Sequence, residues 1–201
     1  MARGRREELL TLAYGYVREH GLADLSLRPL AAAIGSSPRV LLFLFGSKDG
    51  LVQALLAEAR AEELALLRSL PEGAGLPATA EAVWGWLSDP AQAPLLRLWV
   101  EAYARSLVAG DGPWAGFAAA TVADWLAVLA AAQPPAERDS PAGLARRTAV
   151  LAVLRGALLD LLATGDRART TAAVRHRLGQ SLPASAGDAP DTAGRRVTDR
   201  P

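Results

Sequence analysis

Between Leu25 and Leu51 the chain reads LSLRPLAAAIGSSPRVLLFLFGSKDGL, and this stretch restricts the fold more than any other. Ser26, Pro29, Gly35, Ser36, Ser37, Pro38, Gly46 and Ser47 cut a helical region into short pieces. Proline in a first helical turn loses no hydrogen bond, glycine accepts the left-handed backbone that stops a helix, and serine caps the next one. The spacing predicts a short helix capped by Ser26 and stopped at Gly35, then a second over 38–45 closed by Gly46. A third, longer helix follows over about 48–69, with Ser47 as its cap and Asp49 near its positive end. Leu27, Leu30, Ala31 and Ile34 make the inner face of the first, and Leu41 and Phe45, four apart, that of the second. Two short helices joined by a tight glycine-containing turn form a helix-turn-helix, whose second helix lies in the major groove of DNA.

The rest of the chain agrees with an all-α fold. Residues 6–20 carry the apolar stripe Leu9, Leu10, Ala13 and Val17 and stop at Gly21. A glycine- and proline-rich segment at 71–77 marks a boundary, and helices are expected over 78–88, 95–110, 111–133, 144–164 and 167–180. From 182 onward the sequence is polar, rich in proline, glycine and aspartate, and without periodicity, which predicts a disordered tail.

Composition removes several functions. With no cysteine and two distant histidines, His20 and His176, the chain lacks a disulfide framework, a thiol nucleophile and a histidine-based metal site or triad. No nucleophile stands beside a base, and GDGPWAG at 110–116 has no strand before it to make a dinucleotide fingerprint. Neither an enzyme nor a cofactor is expected. The charged start and an apolar run, TAVLAVLRGALLDLLA at 148–163, broken by Arg155 and Asp160, suggest a soluble, cytoplasmic protein with no membrane partner. Net charge is only +1, but the single lysine, Lys48, falls inside the opening stretch.

The ordered set of signals over 7–56 resembles the N-terminal domain of TetR-family transcriptional regulators. The matching elements are the first-helix stripe, the "HG" stop, "SLR" opening the second helix, "LAAAIGSS" through the turn, "LLFLF" in the recognition helix and "SKDGL" opening the fourth. The resemblance implies a helix-turn-helix DNA-binding domain over 1–50 and a helical ligand-binding and dimerisation domain over 51–181, followed by the tail at 182–201. It implies a ligand-responsive repressor that binds a palindromic double-stranded DNA operator as a homodimer, with the fourth helix linking the two domains. By position, Arg28, Ser37, Pro38, Arg39 and Phe43 would approach base edges or backbone, and Lys48 would contact phosphate. Arg3, Arg5 and Arg6 could form a loose arm on the DNA.

The recognition helix departs from the family pattern. Where a tyrosine and a histidine usually precede the phenylalanine, this chain has Val40, Leu41, Leu42, Phe43, Leu44 and Phe45. Two readings stand open. Some of these side chains touch thymine methyls while Arg39 reads guanine, or the patch packs on neighbouring helices and operator binding is weak or lost. The second leaves an all-helical small-molecule binding or scaffolding protein.

In the remainder, Trp84, Trp99, Tyr103, Phe117 and Trp125 fall on helices that the resemblance places around a ligand cavity, with Glu101, Arg105 and Asp124 as polar anchors. They imply a lipophilic or aromatic small-molecule effector; the plainer reading is ordinary core. The helix at 144–164 is apolar on nearly all faces. The resemblance makes it part of a four-helix dimer interface, with close approach at Gly156. The alternative is monomer core with Arg155 reaching outward. Arg155 and Asp160 are five apart, pair poorly on one helix face, and need partners elsewhere.

Overall fold

The structure, a computed structural model, describes residues 2–22, 24–68, 74–109 and 111–179; the tail expected from 182 onward lies outside them. Among the described residues all regular structure is helical. The helices are α1 (Ala2–His20), α2 (Leu27–Ala33), α3 (Pro38–Phe45), α4 (Lys48–Arg68), α5 (Leu76–Leu87), α6 (Ala93–Val108), α7 (Phe117–Ala131), α8 (Pro135–Arg138), α9 (Pro141–Thr164) and α10 (Arg167–Gly179). Two 3-10 turns, Pro90–Gln92 and Gly112–Trp114, precede α6 and α7.

The helix-turn-helix follows from the local chemistry. Gly35 holds φ at +63°, and the Ser36 N–H behind it closes on the Ala31 carbonyl at 2.8 Å, ending α2. Ser37 then caps α3, its Oγ accepting from the Val40 N–H at 3.3 Å, and Ser47 caps α4 by accepting from Gly50 at 2.9 Å. Gly50 itself is required by a close approach, because a Cβ there would lie 2.2 Å from the Phe45 carbonyl oxygen. Ser26 differs from its expectation: it occupies the position before α2 in extended backbone, but its side chain makes no capping bond.

Two apolar clusters organise the molecule. The first joins Leu9, Ala13 and Val17 of α1 to Leu30, Leu41, Leu51 and Leu55, all fully buried, and continues into Leu98, Trp99 and Ala102 of α6. At about 1.5–3 kcal/mol per fully buried leucine, this continuity fastens the helix-turn-helix to the rest of the chain. The second cluster packs α5, α7, α9 and α10 around Val83, Trp84, Leu129, Leu154 and Val174. Helix α4 runs past both.

Most helix ends fall within three residues of the sequence expectation, and three larger differences stand out. Helix α1 starts at Ala2 rather than 6. Helix α7 starts at Phe117 rather than 111, because Gly112 and Gly116 both take positive φ and the 3-10 turn intervenes. A short helix, α8, occupies the loop expected before 144. The stretch Gly112–Ala131 is long and apolar enough to cross a bilayer, but Phe117, Ala118, Thr121, Trp125 and Leu129 are buried within the protein.

Candidate nucleic-acid interface and ligand cavity

The N-termini of α2, α3 and α4 converge on one open groove whose walls include Arg28, Pro38 and Lys48, together with Asp24, Ser26 and Pro29. Arg28, Ser37, Arg39 and Lys48 are exposed, and among the described residues no ion pair engages the three cations. Ser37 Oγ is committed to its cap. Leu41 and Phe45 are buried, as their spacing predicts. Their neighbours are not: Phe43 is 83% exposed, Leu42 41% and Val40 39%. The patch is therefore divided: Phe43 stands in solvent, Val40 and Leu42 are partly exposed, and Leu44 packs against the core. Arg39 and Phe43, four residues apart, share one helix face. Behind this surface, Arg6 lies over the Phe45 ring, 4.8 Å from its centroid, and Arg5 pairs with Glu8 at 2.8 Å. Both arginines belong to α1, so this part of the chain is helical and not the expected loose arm; Arg6 rests on Phe45 and Arg5 stays exposed beside Glu8 of its own helix, while the Arg3 side chain lies outside the described residues.

At the far end of α4 a small cavity is enclosed by Glu63, Leu87, Leu96, Trp99, Trp125, Leu151, Leu154, Arg155 and Leu158. It has room for about one water. Glu63 is 5% exposed, and one carboxylate oxygen accepts from the Trp125 indole N–H. Burial pushes its pKa up to about 7, against the opposing pull of the Trp125 hydrogen bond, the Arg155 charge and a further hydrogen bond from Trp99. Arg155 turns inward rather than out to solvent. Its Nη1 donates to Tyr103 Oη at 3.1 Å, and its guanidinium lies 5.0 and 5.5 Å from the Tyr103 and Trp99 rings, which stack on each other. Burial draws its pKa below the usual arginine range. Arg155 Nε and Nη2 are buried without hydrogen-bond partners. Asp160, the second charge in this apolar run, pairs with Arg169 of α10 at 2.6 and 2.7 Å.

Of the expected ligand-facing residues, Trp99 and Trp125 line the cavity. Tyr103 positions Arg155, and Asp124 is tied to Arg60 of α4 by two bonds of 2.6 and 2.9 Å. Trp84 and Phe117 are elsewhere. Trp84 sits in the second cluster with its indole N–H on Thr171 Oγ1 at 3.0 Å, and Phe117 belongs to the first. Glu101 and Arg105 form a joint rather than a cavity anchor: Glu101 accepts from the Leu22 N–H at 2.9 Å and pairs with Arg105 at 3.4 Å. Glu63 and Arg155 are the cavity's charged residues, and the sequence reading assigned neither to a ligand. One signal existed for Glu63, since Leu55, Ala59 and Glu63 recur every four residues on the buried stripe of α4. The preceding residue, Glu62, faces α1 instead, accepting from Tyr14 Oη at 2.7 Å and pairing with Arg18 at 3.3 Å.

No family model matches the sequence, and neither does any curated protein. Solved structures do match. A transcriptional regulator from Rhodococcus sp. Rha1 superposes with TM-score 0.72 at 20% identity, covering 87% of this chain and 94% of its own. A TetR transcription regulator from Haloarcula marismortui gives 0.63 at 17% identity, over 88% and 96%. The multidrug binding protein EbrR, complexed with imidazole, gives 0.63 at 26% identity, over 91% and 92%; another structure of it holds proflavin. By these superpositions the chain has the fold of the TetR-family transcriptional regulators.

Proposed function

We propose that this chain is a ligand-responsive transcriptional regulator, a repressor that binds a palindromic duplex operator as a cytoplasmic homodimer. The observation that carries the reading is the course of α4. It starts at Lys48 in the groove shared by Arg28 and Pro38 and reaches Glu63 in the cavity, roughly 22 Å further along one uninterrupted helix. A surface suited to DNA and the buried charges Glu63 and Arg155 beside a small cavity are thus joined by one rigid element.

On DNA, the exposed Arg39 offers a bidentate donor fork to guanine in the major groove, while Phe43 and Val40 meet thymine methyl groups. Lys48 and Arg28 face phosphates, helped by the uncompensated amides at the start of α4. The domains divide as helix-turn-helix over 1–50 and effector and dimer domain over 51–181. A dimer is supported by α9, where Ala152, Gly156, Leu159 and Ala163 lie uncovered along one side and a Cβ at Gly156 would meet nothing within 4 Å. Such a low-relief stripe suits close packing with a second copy. An effector can switch the protein only by binding better to a dimer whose recognition helices are wrongly spaced for the operator. EbrR's complex with proflavin adds weight to an aromatic effector here.

Selection of bound sequences from random duplexes tests this reading, and enrichment of an inverted repeat is the expected outcome. On the selected duplex, Arg39→Ala should weaken binding by about 1–3 kcal/mol, the value of one bidentate base contact. Equal affinity of parent and variant in a gel-shift titration removes Arg39 from the reader's role.

A further inference from the structure

Helix α3 offers few hydrogen-bonding groups for a surface that meets base edges. Its sequence is PRVLLFLF, and Arg39 is the one side chain in it that can form a hydrogen bond. Ser37 Oγ, just before it, is already engaged with the Val40 N–H. A guanidinium donates and never accepts, so in the major groove it is matched by the two acceptors of guanine, O6 and N7. The helix holds no side-chain acceptor for the amino groups of cytosine or adenine.

What remains on its outer side is carbon. Leu42 and Phe43 follow Arg39 by three and four positions, so both stand one turn above it on the same face, 41% and 83% exposed. Leu41 and Phe45 hold the opposite face in the core, which fixes the outward direction of these groups. The apolar feature of a base edge in the major groove is the C5 methyl of thymine. 5-Methylcytosine carries the same methyl at the same ring position and differs in the neighbouring group, an amine in place of a carbonyl. A phenyl ring covers the methyl and forms no conventional hydrogen bond with either neighbour. Phe43 therefore separates methylated from unmethylated pyrimidines and is indifferent to which base bears the methyl. The surrounding charge selects a polyanion as the occupant of this face: Arg28, Arg39 and Lys48 are exposed, and no ion pair among the described residues engages them.

We propose that Phe43, flanked by Leu42, reads the 5-methyl group of a pyrimidine beside the guanine held by Arg39, so that cytosine methylation at that place strengthens operator binding as thymine does. The proposal rests on the chain's being an operator-binding regulator. It adds a second input, chemical modification of the DNA, that is independent of any small molecule in the second domain. Burial of one methyl group corresponds to about fourfold in affinity, and a palindrome presents it twice, so modification of both half-sites should give about tenfold or more.

The test is a gel-shift titration of the full-length chain on the duplex obtained by selection from random sequences. Each half-site pyrimidine is supplied in turn as thymine, deoxyuridine, cytosine and 5-methylcytosine. At one position the change from deoxyuridine to thymine and the change from cytosine to 5-methylcytosine should each raise affinity, by a similar factor of about four per half-site. In F43A both gains should vanish; in R39A all four forms should bind more weakly while the gains persist. Both side chains are exposed, and thermal unfolding confirms that the variants fold. A gain for thymine without a matching gain for 5-methylcytosine, gains that survive in F43A, or no methyl effect at any position overturns the proposal. The two levels stay separable. Sequence-selective binding without a methyl gain sinks the methyl reader alone, whereas no binding to any duplex sinks the regulator and the reader with it.

Discussion

The two ends of α4 depart from the usual distribution of side chains in opposite directions. At the DNA end, apolar groups stand outside: Phe43 and, in part, Leu42 and Val40 are in solvent on a helix that has Arg39 as its sole charged residue. At the cavity end, charged groups stand inside, with Glu63 and Arg155 among leucines and indoles. Single exposed hydrophobics need no explanation, and neither does a fully paired buried ion. A clustered apolar face on an eight-residue helix and a buried guanidinium with two unmet N–H groups are different, because both leave free energy for a partner to supply. The difference teaches what kind of partner each end awaits. One end lacks something to cover carbon, and the other lacks something to satisfy nitrogen.

The contrast can be broken first at Leu41 and Phe43, two residues apart on one helix. Leu41→Ala removes a fully buried side chain and should cost about 2–5 kcal/mol of stability by urea or thermal unfolding. The next largest effect belongs to Glu63. Its folded pKa of about 7 exceeds the ordinary 4.5, so the native state binds the proton more tightly than the unfolded chain. The resulting stabilisation is complete below about pH 4.5 and is lost as pH rises through 7, by as much as about 3 kcal/mol. Asp160, whose pKa Arg169 lowers, works in the opposite sense and gains stability as pH rises through the carboxylate range. The difference between parent and Glu63→Gln unfolding curves across that window isolates Glu63, and parallel curves would show that its carboxyl titrates normally. Phe43→Ala should leave stability within about 0.5 kcal/mol of the parent yet weaken operator binding by about 1–2 kcal/mol. Replacing operator thymines with deoxyuridine should reproduce that loss in the parent and add nothing in the variant. Smallest is Tyr14→Phe, which removes one hydrogen bond to Glu62 and should cost about 0.5–1.5 kcal/mol of unfolding free energy.

The helix-turn-helix was legible because its signals are local. Gly35, Ser37, Gly46 and Ser47 act on backbone within a few residues of themselves, and the buried partners Leu41 and Phe45 are four apart on one helix. The cavity was legible only in part, because its charges are placed by tertiary packing. Glu62 and Glu63 are indistinguishable as letters, yet one is held by α1 and the other by α7. Arg155 lies in an apolar run that reads equally as dimer face or core, and its inward turn depends on Trp99 and Tyr103, more than fifty positions earlier. Trp84 shows the converse: an aromatic at helical spacing whose polar atom is met by Thr171 on α10 and whose place is plain core. The early start of α1 was missed because MARGRR has no apolar period to reveal it.

The small size of the cavity has a kinetic consequence. A molecule larger than water could not occupy this space until the protein had first rearranged, so its uptake would be gated by that rearrangement and not by diffusional encounter. Capture rates would then level off at high effector concentration, and the same closed walls would slow escape. A regulator built this way answers with a lag and a memory, averaging over brief fluctuations in its signal.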